Sequence, residues 1–396
     1  MMAAIIAAEQ GAVVQVLERL PRVGKKLLAT GNGRCNLSNQ DMTADHYHGD
    51  TEFIQSVLSQ FGFKETLQQF EQLGLSWIAE PETRRIYPRS LQASSVLDIL
   101  RTAMKHRDIK ETCDAPVKQI QKTDNSFQVL LGSGETIRAG RVILTAGGRA
   151  SPNLGSNGSG YKLAEQLGHT IRPTKPAVVQ LTWKQDFSKR LKGLKVQAAI
   201  ALKNDEQILR TETGEIHFTD NGLSGIPALQ MARLVHEFLD KGQTPVLHIN
   251  LLPGLTHEDV RKELVNRIHR FPRQSIQESM ISLLHKRLIP VLLNKAGIEP
   301  GSVCSKMTEM DIKSLIITYT DLQIPVTGTR SWSSAQVTSG GVITDEVNSN
   351  TLESKLVPGL YFAGEILDVD GDCGGYNLQW AWSSGWIAGK SAAIIS

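Results

Sequence analysis

Little in this sequence would cross-link it, hold it in a membrane or tie it to nucleic acid. Four cysteines, Cys35, Cys113, Cys304 and Cys373, are scattered through 396 residues without a CxxC pair. That excludes a zinc framework or a disulfide scaffold, and no metal site is expected. Reduced thiols in the cytoplasm are the default. No apolar run reaches the ~18 residues of a membrane-spanning helix, so no membrane partner is expected. The net charge of +3 is small and mixed along the chain, with no basic run, which argues against a nucleic-acid partner. The first residues lack the basic stretch and cleavage pattern of a signal peptide. No internal repeat or low-complexity tract is visible, and nothing in the sequence sets an oligomeric state.

What is present is the composition of a folded protein, 40% hydrophobic and 21% charged, not that of a disordered one. The chain is too long for one ordinary core, so two or three domains are expected. Its 34 glycines cluster, which suits ligand loops better than general flexibility.

The richest stretch is Leu356 to Lys390. A short apolar run, Gly359 to Ala363, leads through Gly364-Glu365 and an Asp-rich turn to Gly374-Gly375. From about Asn377 to Ile395 the chain is rich in Ala, Trp and Ile with no proline. Strand, glycine turn and helix in that order make an anion-binding corner, because the free N–H groups and dipole at a helix start favour negative charge. Glycine also lets backbone approach a flat ligand where a Cβ would collide.

At the other end, Met1 to Gln10 reads as a helix closed by Gly11, and Ala12 to Leu17 as a strand ending at Glu18. A small-residue helix, then a strand ending in an acid, is the second half of a dinucleotide-binding βαβ unit. The acid there bonds the adenosine ribose about 20 residues after the glycine fingerprint. Counting back from Glu18 places that fingerprint at or before Met1. A first strand and glycine loop are therefore read as missing from this sequence, through a mis-called start, a truncation or genuine loss.

Between these ends, residues 50–75 read as helical (Phe53, Val57, Phe61, Leu67, Phe70), as do Ala93 to Lys105. Glu111 to Arg141 reads as an antiparallel meander. A strand, Arg141 to Thr145, runs into Ala146-Gly147-Gly148. Residues 173–328 change character: scattered strands precede a mostly helical, charged stretch at 256–322. This block reads as an insertion, with 1–172 and 329–396 as the discontinuous parent domain.

Several long motifs in order carry a resemblance: RVGKKLLATGNGRCNLSN, TAGGRASPNLGSNGSGYKLAEQLGH, TDNGLSGIPALQ, PVTGTRSWSSAQVTSGGV and ESKLVPGLYFAGEILDVDGDCGGYNLQWAWSSG. Through nearly the whole chain it resembles the HI0933-like family of FAD-dependent oxidoreductases. The resemblance implies an α/β fold: a glutathione-reductase-type, Rossmann-like FAD-binding domain interrupted by an inserted β-barrel and helical domain. Members normally begin with a strand and a GGGxAG-like loop, which this chain lacks. A second departure is Asp220, where a His is expected.

The resemblance and the residues together nominate a cofactor set. Glu18, with Arg19 beside it, serves the ribose. Lys25 and Lys26 neutralise phosphate or hold their loop. Gly31, Gly33, Arg34, Cys35 and Asn36 approach the flavin ring, and Val117 pairs its backbone with the adenine. Ala146, Gly147 and Gly148 close a strand beside the cofactor. Gly364, Glu365, Asp368 and Asp370 lie along the ribityl and pyrophosphate side, and Gly374, Gly375, Tyr376, Asn377 and Leu378 cap the pyrimidine end. Arg34, Tyr376 and Asn377 are the catalytic candidates. Each has a plainer reading as a strand-end acid, a solvated lysine, an Asx turn or a loop-holding arginine. Cys35 and Cys373 lie in two loops that should approach the flavin, without spacing that supports a redox pair. His46-x-His48 lacks a third ligand and reads as surface. The tryptophans, among them Trp380, Trp382 and Trp386, read as core.

The expected activity is hydride transfer between a small organic substrate and flavin, in a cleft between parent domain and insert. The resemblance leaves two directions open: an amine or aminoketone oxidase, or a reductase of unsaturated ketones. NAD(P)H remains a candidate transient donor. A different class of reading is a non-catalytic relic or binding module that has lost tight flavin binding.

Overall fold

The computed structural model describes residues 1–204 and 207–394, which fall into two units, Met1–Ala177 with Trp332–Ser396 and Val178–Ser331. The expected helix end at Ile395 lies outside the described residues. Among them no helix is long and apolar enough to cross a membrane.

The first unit contains, in order, α1 (Met2–Glu9), β1 (Gln15–Leu17), α2 (Lys25–Ala29), β2 (Ser38–Asn39), β3 (Tyr47–His48), α3 (Thr51–Gln60), α4 (Phe63–Gln72), β4 (Trp77–Ala79) and β5 (Arg85–Pro88). It continues with α5 (Ala93–Lys105), β6 (Lys110–Thr112), β7 (Val117–Lys122), β8 (Phe127–Leu131), β9 (Thr136–Ala139), β10 (Val142–Leu144), α6 (Ser159–Gln166) and β11 (Lys175–Ala177). After the second unit come β12 (Val337–Ser339), β13 (Leu360–Phe362), β14 (Asp370–Gly371) and the C-terminal helix α7 (Tyr376–Ala393).

Two parallel pairs form its spine, β1 with β6 and β10 with β13. No further strand among the described residues pairs with either of them. The expected meander holds for β7, β8 and β9. β6 departs from it, because it pairs in parallel with β1. The stretch expected to be helical at 50–75 is two helices. Asp50 starts α3 by accepting the Phe53 N–H at 3.0 Å. The chain then breaks at Phe61-Gly62, and Glu65 takes the Gly62 N–H at 3.0 Å to start α4. That back-bond satisfies a donor which a continuous helix would have bonded internally.

α7 crosses the unit and organises its core. Trp382 meets Phe70 edge-on at 5.1 Å between centroids, and Trp386 stacks on Phe61 at 4.9 Å. Trp380 and Trp382 are buried, while Trp386 is half-buried. α1 is apolar nearly all round and buried from Met2 to Ala7. It lies close along α7 because Gly389 presents no Cβ to the Ala3 backbone.

His169 pins the β10–β13 side of this unit. Its side chain is buried between Glu346 Oε2 (3.0 Å from Nδ1) and Ser354 Oγ (2.8 Å from Nε2). The Ser354 oxygen also accepts the Leu356 and Val357 N–H groups at 3.1 and 2.8 Å. Its hydroxyl proton is thus left for His169 Nε2, and Nδ1–H donates to Glu346. The trio resembles a hydrolase triad, but its serine is buried and holds a turn. Burial lowers the His169 pKa from its ordinary value, more than the Glu346 hydrogen bond raises it. The folded protein therefore binds this proton less readily than the unfolded chain, whose histidines titrate near ~6.5. The stabilisation is complete above that value and is lost as pH falls from it toward the folded pKa. Thermal melts should decline from pH 7 to 5.5, and His169→Gln should flatten that decline while lowering the neutral-pH melting temperature. An unchanged slope would remove His169 from the pH response.

The second unit is a seven-stranded antiparallel sheet ordered Leu322–Pro325, Val246–Asn250, Lys195–Asn204, Gln207–Phe218, Gly222–Ser224, Leu181–Thr182 and Gly328–Thr329. Its two edge strands are separated by only two residues, Val326 and Thr327, whose N–H groups continue the bonding to Pro245 O and Thr182 O, both at 2.8 Å. Its helices His257–Arg270 and Glu309–Thr320 each start with a capping box, Thr256 with Asp259 and Thr308 with Asp311.

Candidate functional site

The N-terminus of α7 meets the loop after α2. Gly374 and Gly375, at φ +156° and +105°, turn the chain into the helix. A Cβ on Gly375 would lie 2.5 Å from Ser38 O and 3.0 Å from Asn36 Oδ1. Cross-links hold the two segments together: Asn39 Nδ2 donates to Gly374 O at 3.0 Å, and Trp382 Nε1 donates to Leu37 O at 3.0 Å. Beneath them, Ser38 Oγ donates to Gln379 Oε1 at 2.6 Å. The Gln379 amide donates to Thr66 Oγ1 at 2.7 Å and Ser383 Oγ at 2.9 Å. The first internal bond of the helix runs from Gln379 N to Gly375 O at 2.9 Å. The N–H groups of Tyr376, Asn377 and Leu378 precede it and are the natural orphans of a helix start.

Asn36 completes this corner. Its Oδ1 is buried with no hydrogen-bond partner, a costly state for a native acceptor. A row of free N–H donors beside an unpaired acceptor is the complement of a heterocycle edge carrying both C=O and N–H, as the pyrimidine end of a flavin does. The residues present fit that ring.

The loop leading here runs through left-handed backbone at Gly31, Asn32, Gly33 and Cys35 (φ +55°, +55°, +83° and +59°). A Cβ on Gly31 would meet Asn36 N at 2.8 Å, whereas Gly33 has nothing within 4 Å. Arg34 is exposed, with its guanidinium 4.7 Å from the centre of the Tyr87 ring. Cys35 is buried and its thiol is pushed up to about 12 by burial, so it stays protonated at neutral pH.

A second group lies at the end of β13. Lys26 Nζ pairs with Glu365 Oε2 at 2.5 Å and donates to Ala150 O at 3.2 Å. The other Glu365 oxygen accepts the Thr338 N–H at 2.8 Å. Gly147 backs onto Ser156 and Gly148 onto Thr338, with exposed Ala146 before them. Gly364 (φ +79°) has nothing within 4 Å of a Cβ position, leaving open space on one side. The Lys26 charge expected for a phosphate is here matched by Glu365, and Lys25 is half-buried at the start of α2. Asp368 is buried and ion-paired with Arg172, and Asp370 is buried on β14.

A third group lies at the end of β1. Glu18 Oε1 accepts the Leu20 N–H at 2.8 Å, and its backbone carbonyl takes the Ala115 N–H at 2.9 Å. That bond ties it to the segment leading to Val117, which is half-buried at a bulge opening β7. Arg19 turns away, bonding Gly155 O at 2.9 Å and Pro152 O at 3.2 Å as a strut. Asn377 needs reassignment as well. Its Oδ1 accepts Gly371 N–H at 2.8 Å, and its Nδ2 donates to Gly371 O at 2.7 Å and Asp372 O at 3.3 Å. Both Asn377 amide hydrogens and one lone pair of its oxygen are thus engaged by the loop before the helix, rather than by the substrate expected of it.

Sequence reasoning missed what surrounds Tyr376. The antiparallel pairing of β3 with β14 brings His46 and His48 to the start of α7. His46 stacks on the Tyr376 ring, with centroids 4.3 Å apart and planes at 20°. Asp372 sits between His46 Nδ1 (3.6 Å) and His48 Nε2 (3.5 Å), and Asp41 lies 3.7 Å from His46 Nε2. No spacing rule foretells a partner this far along the chain. Gln379, a lone amide among Trp and Ala in a helix pattern, was the one missed residue with a local signal.

A Rossmann-type unit with a strand-end acid, a glycine corner on a long helix and an unpaired acceptor beside it defines a flavin-dependent oxidoreductase. The chain belongs to the HI0933-like family, matching the "HI0933-like protein Rossmann domain" over residues 1–391. It is 41% identical over 394 residues to the 3-dehydro-bile acid delta(4,6)-reductase of Clostridium scindens, covering 99% of this chain and 96% of that one. It is 31% identical over 404 residues to the ribosomal RNA dihydrouridine synthase of Escherichia coli, with 99% and 96% covered. The Haemophilus influenzae protein of the same name is 28% identical over 390 residues, with 97% and 93% covered.

Proposed function

We propose that this protein uses FAD to reduce a carbon–carbon double bond conjugated to a carbonyl in a small polycyclic ketone of the 3-oxosteroid type. The observation that carries this reading is the 41% identity, over nearly the full length of both chains, to a reductase of that kind. Bound flavin supplies the two electrons and the hydride. This chain's own part is to hold the ring and balance charge. The N–H groups of Tyr376 to Leu378 and the α7 dipole favour negative charge at the pyrimidine end, and Asn36 accepts from the ring. Glu18 takes the ribose hydroxyls of the adenosine half, and NAD(P)H is the transient donor.

A second reading is reduction of uracil in ribosomal RNA, favoured by the two dihydrouridine synthases among the relatives. It acts on the same kind of bond but requires the nucleic-acid partner that the charge pattern argues against. The test is anaerobic. Protein is reduced with dithionite and mixed with a 3-oxo-4,6-diene steroid or with a ribosomal RNA transcript, and recovery of oxidised-flavin absorption is followed. Rapid recovery with the steroid alone is expected, and recovery with RNA alone would replace the first reading by the second. Fast reoxidation by air with peroxide release would favour the oxidase direction. A folded chain that never retains flavin would favour the relic.

A further inference from the structure

We propose that the Tyr376 hydroxyl delivers the proton that completes the reduction, with His46 as the residue that positions it. This rests on the reductase reading above. A hydride added to the β-carbon of a conjugated ketone leaves an enolate. A proton must then reach the α-carbon from a group held at the site.

Tyr376 is the first residue of α7, beside the glycine pair and the unpaired Asn36 oxygen. Its ring is clamped on several sides. Built Cβ atoms on Gly371 and Gly374 would come within 2.8 Å of its Cβ and Cε2. Tyr47 donates its hydroxyl to Tyr376 O at 2.8 Å, and the Tyr47 ring meets the Tyr376 ring edge-on at 5.9 Å. His46 covers a face of the ring. The groups acting on the phenol from the packed elements are Asp41 and Asp372, which oppose its ionisation, and Arg85 of β5, which favours it. His46 and His48 face the same Asp372. Burial, then Asp41 and Asp372, push the phenol up to about 12, so it carries its proton at neutral pH. The neighbours are worse donors. Asn377 is spent on the loop, Cys35 is buried, and both His46 nitrogens are turned to carboxylates.

The step balances. The reduced flavin, as two-electron reductant, gives the hydride to the β-carbon. The Tyr376 O–H bond breaks as the α-carbon–H bond forms, and solvent returns the proton to the tyrosinate. Run backwards without redox, the same group exchanges the α-hydrogen of a saturated ketone.

That exchange is the test. Holoprotein with oxidised flavin is incubated with a saturated 3-oxosteroid in D2O, and deuterium entry at C-4 is followed by NMR. Flavin affinity is measured beside it by fluorescence. The wild type should exchange, and Tyr376→Phe should lose about 100-fold or more with flavin affinity unchanged. Equal exchange by Tyr376→Phe, or reduction without exchange by the wild type, overturns the proposal and leaves the reductase reading standing. A wild type that neither reduces nor exchanges the steroid ends both. If Tyr376→Phe loses flavin, difluorotyrosine placed at 376 should bring an alkaline limb into the accessible pH range of exchange, and an unmoved profile overturns the proposal. His46→Ala should lower kcat about tenfold or more at little change in KM. His46→Phe, which keeps a stacking ring, should restore part of the loss, and an equal loss in both variants would deny the positioning role.

Discussion

Replacing Gly375 with alanine should strip the flavin from the protein and lower its melting temperature by roughly 10 °C. Gly375 has φ +105°, and its Cβ would sit 2.5 Å from Ser38 O and 2.6 Å from Ser38 C. Those are backbone atoms, so no rotamer change relieves the contact. Ser38 is held on one side by β5 and on the other by Gln379, and Gly375 is fixed by the helix it starts. A left-handed residue costs about 1–3 kcal/mol and overpacking a core site about 1–3 kcal/mol. Relief comes from parting the α7 head and the Asn36 loop, which are the two walls of the proposed ring site. Gly74→Ala is the control, because Gly74 has φ +93° with nothing within 4 Å and bears only the backbone cost. Flavin retention is read from visible absorption after gel filtration, and stability from thermal melts. If Gly375→Ala keeps its flavin and melts like Gly74→Ala, the ring does not lie at this corner.

What the sequence made legible was local. α5 is read with both ends correct, because a 13-residue amphipathic pattern has no competitor. The corner before α7 was found because two adjacent glycines before a helix report a backbone need that requires no partner. The break between α3 and α4 was missed, since the apolar spacing runs through Gly62 and only the Glu65 back-bond interrupts it. β6 was given to the meander because alternation is the same whether a strand's neighbour is parallel or antiparallel. The site interior was least legible. Lys26 with Glu365 and Ser38 with Gln379 join positions 339 and 341 residues apart, and no composition or period encodes such a pair. His46 was read as surface because His46-x-His48 has no third ligand near it in the sequence. Its chemistry comes from a β-pairing two residues long.

Gln379→Leu should destabilise the first unit by about 3–5 kcal/mol and weaken flavin binding without touching the flavin. Gln379 is fully buried, as are Ser38, Thr66 and Ser383, which it joins. Leucine fills similar space but strands three buried hydroxyls. Thr66 and Ser383 lie in helices, where each can turn to the carbonyl four residues back. Ser38 lies in β2 and has no such recourse, so most of the penalty falls where β2 meets α7. The double variant Ser38→Ala with Gln379→Leu should recover part of the loss, because removing both partners of a buried hydrogen bond costs less than removing one. Recovery of stability without recovery of flavin affinity would mean that the amide also sets the position of the α7 head against the Asn36 loop. Recovery of both would make the network a source of stability alone. No loss in the single variant would show that the buried hydroxyls find other partners, and that the α7 head is held by Trp382 and Asn39.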